Sequence, residues 1–400
     1  MKPLRVGIDL TGIWRRPTGI FRYTAEMAKH LLLLPDFEGE LAGARSRGDP
    51  RGRPAINYVL FFSREVHPDF VLLQHAFEAV ICPTSNELLC KQFWFPVILP
   101  RLHLDIMHYP AFPPPYLRLL SPPTVMTFYD AGPWRYPQAQ TLHGRLYFRA
   151  LLSRGVRTCA QVTTLSTHAC SEIGRILGER YLPKISVAPG AGRAEFGAAV
   201  SETERQRVRT RYHLPGSYFL AVATIEPRKN LSTLLDAYVR LRQACGSACP
   251  ELVIVGRKGW NCDDTLQYMT SLEESVHFLG HIPDQDLIVV YQMALSLVFP
   301  SLYEGFGLPI IEAMTAGCPV IAANSSSLPE VAGDAALLVD ALDAEKIALA
   351  MRQVWQDETL RERLVADGRI QATRFSWEET ARITRKAYLK AAVSQWKFDA

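Results

Sequence analysis

The sequence contains no long uncharged apolar run and no opening segment typical of a signal peptide. A transmembrane helix needs about 18 or more consecutive apolar residues, and a signal peptide needs a charged start, an apolar stretch and a small-residue cleavage site. Neither pattern occurs, although 48% of the residues are apolar and the chain can therefore bury substantial cores. We expect a cytoplasmic protein whose 400 residues divide into two or three domains.

Cysteine patterns typical of zinc sites or disulfide frameworks are also absent. None of the eight cysteines belongs to a Cys-x2-Cys pair. Cys245 and Cys249 stand four positions apart, but no second pair completes a tetrahedral zinc site. We therefore expect free thiols in a reducing compartment.

The net charge of the chain is small, at +4, but it is unevenly distributed. Residues 1–195 carry 23 Lys and Arg against 15 Asp and Glu, a net charge of +8, whereas residues 196–400 carry 21 against 25, a net charge of −4. A basic half can meet an anionic membrane surface or a phosphate-bearing acceptor. No dense Lys/Arg tract or aromatic-basic motif favours nucleic acid as a partner.

Short apolar runs alternate with amphipathic stretches along most of the chain, which predicts α/β domains with parallel sheets. In the first half we predict strands at residues 4–10, 58–62, 79–82, 106–109, 124–128, 161–165 and 185–188, with a helix at 24–34. In the second half we predict strands at 218–224, 252–256, 276–279, 295–300, 320–324 and 336–339, separated by helices. The predicted domains are residues 1–195 and 196–377, each doubly wound.

Two carboxylates, Glu304 and Glu312, stand eight positions apart in the most informative stretch of the sequence. Glu304 follows an apolar run that is typical of a buried strand, and Glu312 follows Pro309, which suits the first turn of a helix. Both side chains are then expected at the crevice where open α/β sheets bind ligands. Gly305 and Gly307 allow a close backbone approach, and the helix start offers free N–H groups to a phosphate.

Carboxylates accept hydrogen bonds from vicinal hydroxyls, so this stretch suits a diphosphate carried between two polyols, as in a nucleotide sugar. The alternative interpretation is a pair of solvated acids at a helix start, which is common in proteins. Arg228 and Lys229 support the first interpretation, because they also stand at a predicted strand–helix junction, where they can converge on a diphosphate. Taken alone, such a cation pair is often only a solvated helix cap.

The stretch Tyr-Glu-Gly-Phe-Gly-Leu-Pro-Ile-Ile-Glu-Ala-Met, which contains Glu304 and Glu312, resembles the signature of retaining glycosyltransferases of family 4. Residues 316–324 and 328–333 continue the resemblance. It implies the GT-B fold, in which two Rossmann-like domains face a cleft, here residues 1–195 on the acceptor side and residues 196–377 for binding the nucleotide sugar. The last helix, here about 378–400, would pack back on the first domain. We also expect a reaction without a metal ion or other cofactor.

The resemblance assigns roles to particular residues. Arg228 and Lys229 would stabilise the leaving diphosphate, Glu304 would hold the transferred hexose, and Glu312 would hold the ribose. These first three residues are the predicted catalytic residues. The other predicted donor-binding residues are Gly19, Ile282, Gly305, Phe306, Gly307 and Leu308. Gly19 belongs to residues 18–23, Thr-Gly-Ile-Phe-Arg-Tyr, which resemble the family's Gly-Gly-Ile-Gly-Arg-Tyr loop before the first helix. In the family this loop approaches the donor phosphate from the first domain.

Tyr129 and Asp130 are predicted on the acceptor or sugar side of the cleft. They end a stretch that resembles a strand ending in His-Asp in many relatives, and Tyr129 stands where the histidine would be. A tyrosine can donate a hydrogen bond there, but it is not a base at neutral pH. His108 and His168, which lie near other strand ends, are candidates to compensate, and the alternative for both is a structural histidine.

These features predict a retaining glycosyltransferase that moves a hexose, mannose or a similar sugar, from a nucleotide-diphosphate sugar to a glycan or lipid-linked acceptor in surface polysaccharide synthesis. The alternatives are a catalytically silent nucleotide-sugar-binding partner of a polysaccharide complex and a GT-B epimerase or phosphorylase. We further hypothesise reversible docking on the inner face of the cell membrane. This hypothesis depends on the +8 charge of residues 1–195 and on four arginines at positions 45, 47, 51 and 53.

Overall fold

The computed structural model describes residues 3–13, 18–35, 56–86, 89–111, 113–115, 121–137 and 142–396. The four arginines of the membrane hypothesis lie outside these residues. The described chain forms two parallel sheets with helices on both faces of each. This confirms the predicted fold class, and each strand ends within two residues of its predicted bounds.

The first sheet consists of β1 Leu4–Asp9, β2 Ile56–Phe62, β3 Phe77–Ile81, β4 Ile106–Tyr109, β5 Thr124–Phe128, β6 Gln161–Thr164 and β7 Ile185–Val187. Its strand order is β3-β2-β1-β4-β5-β6-β7. Because the chain runs outward in both directions from β1, a topological switch point lies between β1 and β4. Every residue of β4 and β5 is buried, as expected for strands covered by helices on both faces.

The second sheet consists of β8 Tyr218–Val222, β9 Glu251–Val255, β10 Val276–Gly280, β11 Ser296–Phe299, β12 Val320–Ala323 and β13 Leu337–Val339. Its strand order is β10-β9-β8-β11-β12-β13. The switch point of this sheet lies between β8 and β11. The strands are parallel, so their carboxyl ends form one continuous edge.

The α-helices among the described residues are α1 Gly19–Leu33, α2 Phe95–Ile98, α3 Gly132–Arg135, α4 Leu142–Thr158, α5 Thr167–Leu177, α6 Glu202–Tyr212, α7 Leu231–Cys245, α8 Asp263–Ser271, α9 Asp284–Met293, α10 Leu308–Ala316, α11 Leu328–Ala332, α12 Ala344–Gln356, α13 Glu358–Ala372 and α14 Trp377–Trp396. A π-helical turn, Cys90–Trp94, leads into α2, and short 3-10 turns include Leu99–Leu102 and Pro227–Lys229. No helix in the described part of the chain is long and apolar enough to cross a membrane.

Helix α1 begins five residues earlier than predicted. The sequence suggested a loop through Gly19 and a helix from Thr24, whereas Thr18 is the last extended residue, with φ −117° and ψ 165°, and helical geometry starts at Gly19. The extra turn buries Phe21 and Tyr23 against the core. Burial of these two aromatic rings favours the helical turn over the glycine-rich loop of the resembled motif, because each ring removes a large apolar area from water.

Helix α14 returns from the second sheet to pack against the first. Its Thr380 hydroxyl donates a hydrogen bond to the Pro189 carbonyl, and its Tyr388 hydroxyl lies 2.8 Å from Nδ1 of His108. Trp377, at the start of the helix, contacts the ring of Tyr23 edge-on at 5.6 Å. These contacts tie the end of the chain to the layer that carries α1.

Candidate active site

The carboxyl ends of the second sheet's strands bring the predicted donor-binding residues to one edge. Following the strand order, this edge carries the loop of Ile282 after β10, then Arg228 and Lys229 after β8, and then Glu304 after β11. The amino end of α1 and the end of β5, which belong to the first domain, face this edge. The site is therefore built on strand ends, which are held rigidly by the sheet.

Arg228, Lys229 and Glu304 form a compact charged cluster. Arg228 donates from Nη1 to Glu304 Oε2 at 3.0 Å, and Lys229 Nζ lies 2.5 Å from Glu304 Oε1. Arg228 also pairs with Glu226 at 2.8 Å and donates to the Tyr303 carbonyl at 2.7 Å. The cluster thus places two cations beside Glu304, and one of them, Arg228, also beside Glu226.

The protonation state of Glu304 follows from these contacts. Burial alone raises the pKa of its carboxyl group, but the nearby charges of Lys229 and Arg228 outweigh burial and hold the pKa at about 2. Glu304 is therefore ionised at neutral pH and accepts hydrogen bonds, so it can hold sugar hydroxyls but has no proton to donate.

The glycines around Glu304 meet the first domain as well as the cleft. A Cβ atom on Gly305 would lie 2.2 Å from the Tyr129 carbonyl oxygen, so the two backbones touch across the domains. Ser166 on the first domain adds a hydrogen bond to the Gly305 carbonyl at 2.7 Å. Gly307 has φ +113° and precedes α10, a conformation that favours glycine.

Three other predicted donor-binding residues take different positions. Phe306 is buried, and its ring packs against Phe375 at 5.4 Å, so only its backbone can face a donor. Ile282 is 2% exposed, so only its backbone can face a donor as well. Gly19 starts α1 opposite Leu308, whose Cδ1 atom would lie 3.9 Å from a Cβ at position 19, which leaves room between the two helix starts.

Glu312 is held by Arg22, a residue that the sequence analysis did not assign to the site. Arg22 Nη1 donates to Glu312 Oε1 at 2.7 Å, and Arg22 Nη2 donates to Asp284 Oδ1 at 2.6 Å. Arg193 pairs with the other oxygen of Asp284 at 2.9 Å, and the Tyr291 hydroxyl lies 3.4 Å from Glu312 Oε2. One arginine of the first domain therefore bridges two carboxylates of the second.

A signal for Arg22 was present in the sequence. It lies one helical turn after Thr18, inside the motif that the resemblance places opposite the donor.

Asp284 and Asp286 stand two positions apart, a spacing found at some metal sites. Asp286, however, is fully buried and pairs with Arg207 and Tyr212, away from the cleft. The two carboxylates therefore do not converge.

Tyr129 does not direct its hydroxyl at the sugar side of the cleft. Its hydroxyl lies 3.1 Å from the Thr24 hydroxyl and donates to the Ile20 carbonyl at 3.3 Å, so it binds α1. Asp130 acts on the cations: burial lowers the pKa of the Arg228 guanidinium, but the charges of Glu304 and Asp130 raise it. One oxygen of Asp130, Oδ1, accepts a hydrogen bond from the Gly132 N–H at 2.7 Å.

The two histidines considered as substitutes differ in their surroundings. His108 is fully buried, with Nδ1 on the Tyr388 hydroxyl and Nε2 3.1 Å from the Thr127 hydroxyl. Burial lowers the pKa of His108 to about 3, so it stays neutral at physiological pH. His168 packs edge-on against Tyr303, with ring centroids 5.9 Å apart. His108 therefore does not replace the missing histidine as a ligand of the transferred sugar, whereas Nε2 of His168 is buried without a hydrogen-bond partner among the described residues.

Comparison with known proteins decides the family. The sequence profile of the family described as "Glycosyl transferases group 1" matches residues 203–371. O-antigen chain mannosyltransferase B of Escherichia coli is 36% identical over 287 residues, which are 71% of this chain and 74% of that protein. The chain belongs to the glycosyl transferases group 1 family.

This glycosyltransferase also resembles longer proteins. Serotype-specific mannosyltransferase WbdA of Escherichia coli is 32% identical over 56% of this chain, and the match spans only 28% of WbdA.

Among solved structures, sucrose-phosphate synthase of Thermosynechococcus elongatus has a TM-score of 0.72 at 19% identity, covering 98% of this chain and all of that one. WaaG, a glycosyltransferase involved in lipopolysaccharide biosynthesis, has a TM-score of 0.66 at 15% identity, covering 96% and 99%. These likenesses confirm the GT-B fold.

Proposed function

We propose that this glycosyltransferase moves a hexose, with mannose as the first choice, from a nucleotide-diphosphate sugar to a glycan or lipid-linked acceptor in surface polysaccharide synthesis, with retention of the anomeric configuration. The observation that carries the proposal is the cluster of Arg228, Lys229 and Glu304 at adjacent strand ends. The relatedness to O-antigen chain mannosyltransferase B supports mannose and a polysaccharide product.

In the proposed mechanism, the two cations receive the diphosphate. Arg228 and Lys229 now share Glu304 between them, with side chains 19% and 13% exposed. A bound donor would place phosphate oxygens against the cations and sugar hydroxyls against Glu304. On binding, these contacts would replace the ion pairs with Glu304, and no further charge of the protein would become buried. Preorganised charges of this kind stabilise a leaving group without reorganisation during the reaction.

Glu304 would orient the hexose and take no part in proton transfer, because its pKa of about 2 keeps it ionised. Retention would then proceed on one face of the sugar, with a donor phosphate oxygen accepting the proton of the incoming hydroxyl. We therefore assign no enzymatic nucleophile. The close contact between Gly305 and Tyr129 would keep water out of the cleft and so limit donor hydrolysis.

Glu312 would accept hydrogen bonds from the ribose. Its carboxylate is 4% exposed and is already engaged by Arg22. The nucleoside would therefore lie between Glu312 and the loop that follows β10, where the backbone of Ile282 would meet the base.

The experiment is a thermal-shift screen with GDP, UDP, ADP and dTDP sugars, followed by turnover of the stabilising donor. Arg228→Ala and Lys229→Ala are expected to lower transfer by roughly 100-fold or more, as for other preorganised charges. Arg240→Ala is the matched control, since Arg240 is exposed on α7 of the same domain. Normal rates in a folded double variant of the two cations would remove them from the mechanism.

A silent nucleotide-sugar-binding partner is the second candidate, and the orientation of Tyr129 favours testing it. The Tyr129 hydroxyl is bound to Thr24 and Ile20, so it is not offered to the sugar as the resembled histidine would be. Donor binding without turnover, across a panel of mannose-containing acceptors, would support this candidate over the transferase.

We also propose that the enzyme works in the cytoplasm and docks on the inner face of the cell membrane. The support is the +8 charge of residues 1–195. Each basic residue near an anionic surface contributes about 1 kcal/mol, and salt screens the effect. Cosedimentation with anionic vesicles should therefore fall at high salt and after all four arginines at 45, 47, 51 and 53 are changed to serine. Equal binding to neutral and anionic vesicles would contradict docking.

A further inference from the structure

Tyr303, the residue before Glu304, inserts its side chain into the first domain. The side chain is 5% exposed and belongs to a hydrophobic cluster whose other described members, among them Phe128, Ala131 and Ile173, all lie in the first domain. Burying an aromatic ring removes a large apolar area from water, so this insertion stabilises the contact between the domains. The loop that carries Glu304 is therefore anchored in the domain opposite its own.

Two rings of the first domain contact the ring of Tyr303. The Tyr136 ring lies 5.6 Å away at an interplanar angle of 39°, and the His168 ring lies 5.9 Å away, edge-on. Burial lowers the pKa of His168, so its ring is uncharged at neutral pH and suits an apolar contact. Aromatic pairs at these separations contribute more than their buried area alone. The Tyr303 ring is thus held by specific partners as well as by the cluster.

The hydroxyl of Tyr303 holds the turn that carries Asp130. It accepts a hydrogen bond from the Ala131 N–H at 2.9 Å, while Asp130 Oδ1 accepts one from the next N–H, that of Gly132, at 2.7 Å. Successive N–H groups of the turn are therefore paired, one of them by the second domain. The charge of Asp130 acts in turn on Arg228. Tyr303 thus fixes the backbone beside a carboxylate whose charge reaches a proposed catalytic cation.

The first domain also binds the loop on either side of Tyr303. The Tyr136 hydroxyl donates to the Leu302 carbonyl at 3.3 Å, and the Ser166 hydroxyl donates to the Gly305 carbonyl at 2.7 Å. Together with the Tyr303 hydroxyl, these bonds dock the whole loop on the first domain. The place of the sugar-binding carboxylate that we propose in this loop therefore depends on how the two domains pack.

We propose that Tyr303 is a positioning residue for the transfer reaction, because it docks the Glu304 loop on the first domain and holds the Asp130 turn against that loop. The inference rests on the proposed function, and it adds to that function a residue that couples domain packing to catalysis. The proposed contacts to the diphosphate and the ribose lie within the second domain and do not need Tyr303. Loss of its hydroxyl should therefore slow transfer without weakening nucleotide binding.

The test compares Tyr303→Phe, which removes the hydroxyl and keeps the buried ring, with the matched control Tyr268→Phe. Tyr268 lies in the second domain too, and its hydroxyl donates to Asp236 of the same domain at 2.8 Å. Tyr303→Phe should lower kcat for transfer about tenfold, a change of about 1.4 kcal/mol, because the Ala131 N–H loses its partner. The control should keep the wild-type rate.

Two further readouts separate positioning from a general loss of structure. The Kd of the nucleoside diphosphate should stay within about twofold of the wild type in Tyr303→Phe, as the proposed nucleotide contacts remain. The share of donor that is hydrolysed instead of transferred should rise, because a loosened contact between the domains admits water to the cleft.

Hydrogen exchange followed by mass spectrometry measures the docking without any reaction. The Ala131 amide is bonded to Tyr303 in the wild-type protein, so its exchange should become about fivefold or more faster in Tyr303→Phe. In Tyr268→Phe the same amide should exchange at the wild-type rate.

Four results would each overturn the positioning role. These are normal transfer by Tyr303→Phe, an equal loss in the control, a nucleotide Kd that weakens as much as kcat falls, and an unchanged share of hydrolysis. Failure of the wild-type enzyme to transfer from any sugar nucleotide would instead contradict the proposed function. Hydrogen exchange then decides the docking on which the inference depends, and unchanged exchange of the Ala131 amide in Tyr303→Phe would overturn it.

Discussion

Replacing Arg22 by methionine tests whether the nucleotide must displace a side chain that already occupies its site. Arg22 is 21% exposed, and its partner Glu312 is 4% exposed, so the ion pair is largely buried. Loss of one partner of a fully buried pair costs about 3–5 kcal/mol, whereas a charged hydrogen bond contributes about 1.5–3 kcal/mol. Asp284, the second partner of Arg22, is 40% exposed, so the lower of these two ranges applies. We expect Arg22→Met to lower the free energy of unfolding by about 2 kcal/mol.

The same substitution should have the opposite effect on nucleotide binding. In the wild-type protein, a ribose must compete with the guanidinium for Glu312 Oε1, and the energy that holds Arg22 there opposes binding. Arg22→Met removes this competition, so the nucleoside diphosphate should bind roughly tenfold more tightly. This corresponds to a binding free energy that is more favourable by about 1.4 kcal/mol. Transfer should nevertheless slow, since the bridge to the first domain is lost.

The assay is urea unfolding together with calorimetric titration of the nucleoside diphosphate. Arg5→Met is the control, because the Arg5–Glu78 pair is 27% and 49% exposed and should contribute less than about 1 kcal/mol. Weaker nucleotide binding in Arg22→Met would refute the competition and make Arg22 a direct ligand of the donor. Unchanged stability and unchanged binding would remove Arg22 from the site.

Three further predictions concern other parts of the structure. Gly305→Ala should lower transfer by roughly 100-fold while nucleotide binding persists, because the new methyl group would press on the Tyr129 carbonyl and separate the domains. Lys91→Met should lower the free energy of unfolding by about 3–5 kcal/mol, since Lys91 and Asp9 form a buried pair at 2.8 Å. His108→Gln should flatten the pH dependence of stability between pH 6.5 and 5. The free energy of unfolding of the wild-type protein should fall by about 2 kcal/mol over that interval. His108 takes up a proton in the unfolded chain, whereas in the folded protein its pKa of about 3 keeps it neutral.

Each of these predictions has a matched control. Gly216→Ala introduces a methyl group where no atom lies within 4 Å, so transfer should be normal. Arg382→Met breaks a half-exposed pair and should cost less than about 1 kcal/mol in urea unfolding. His75→Gln changes an exposed histidine, so its pH profile should match the wild type. Equal effects in a variant and its control would contradict the corresponding prediction.

The fold was predictable because its signals are local. Runs such as Ser296–Phe299 contain only residues that suit a strand buried on both faces, and helix starts follow them at short intervals. The start of α1 was not predictable in the same way. The resemblance to the family's glycine loop predicted a loop through Gly19. Phe21 and Tyr23, however, are apolar side chains that favour burial, and a helix from Gly19 buries both.

The residues at the site were also predictable from the sequence, but the side chains that they contact were not. The sequence shows that Glu304, Arg228 and Lys229 stand at strand ends, and strand ends converge. It does not show that Arg22, 290 positions before Glu312, reaches across the cleft to bind it. It also does not show that the Tyr129 hydroxyl turns towards α1. The first outcome depends on how the two domains pack, and the second on how α1 packs against β5 within the first domain, and no local pattern encodes either.

The most direct measurement of the central claim follows the enzyme with GDP-α-mannose and a mannoside acceptor by proton NMR. The account predicts that nucleoside diphosphate and an α-linked mannoside form in equal amounts, and that product formation falls roughly 100-fold or more in Lys229→Ala while Arg240→Ala stays normal. If this donor fails, the donor that stabilises the protein in the thermal-shift screen takes its place. A β-linked product would contradict retention. Absence of transfer from every sugar nucleotide that binds would contradict the assignment of Glu304, Arg228 and Lys229 as a transferase site.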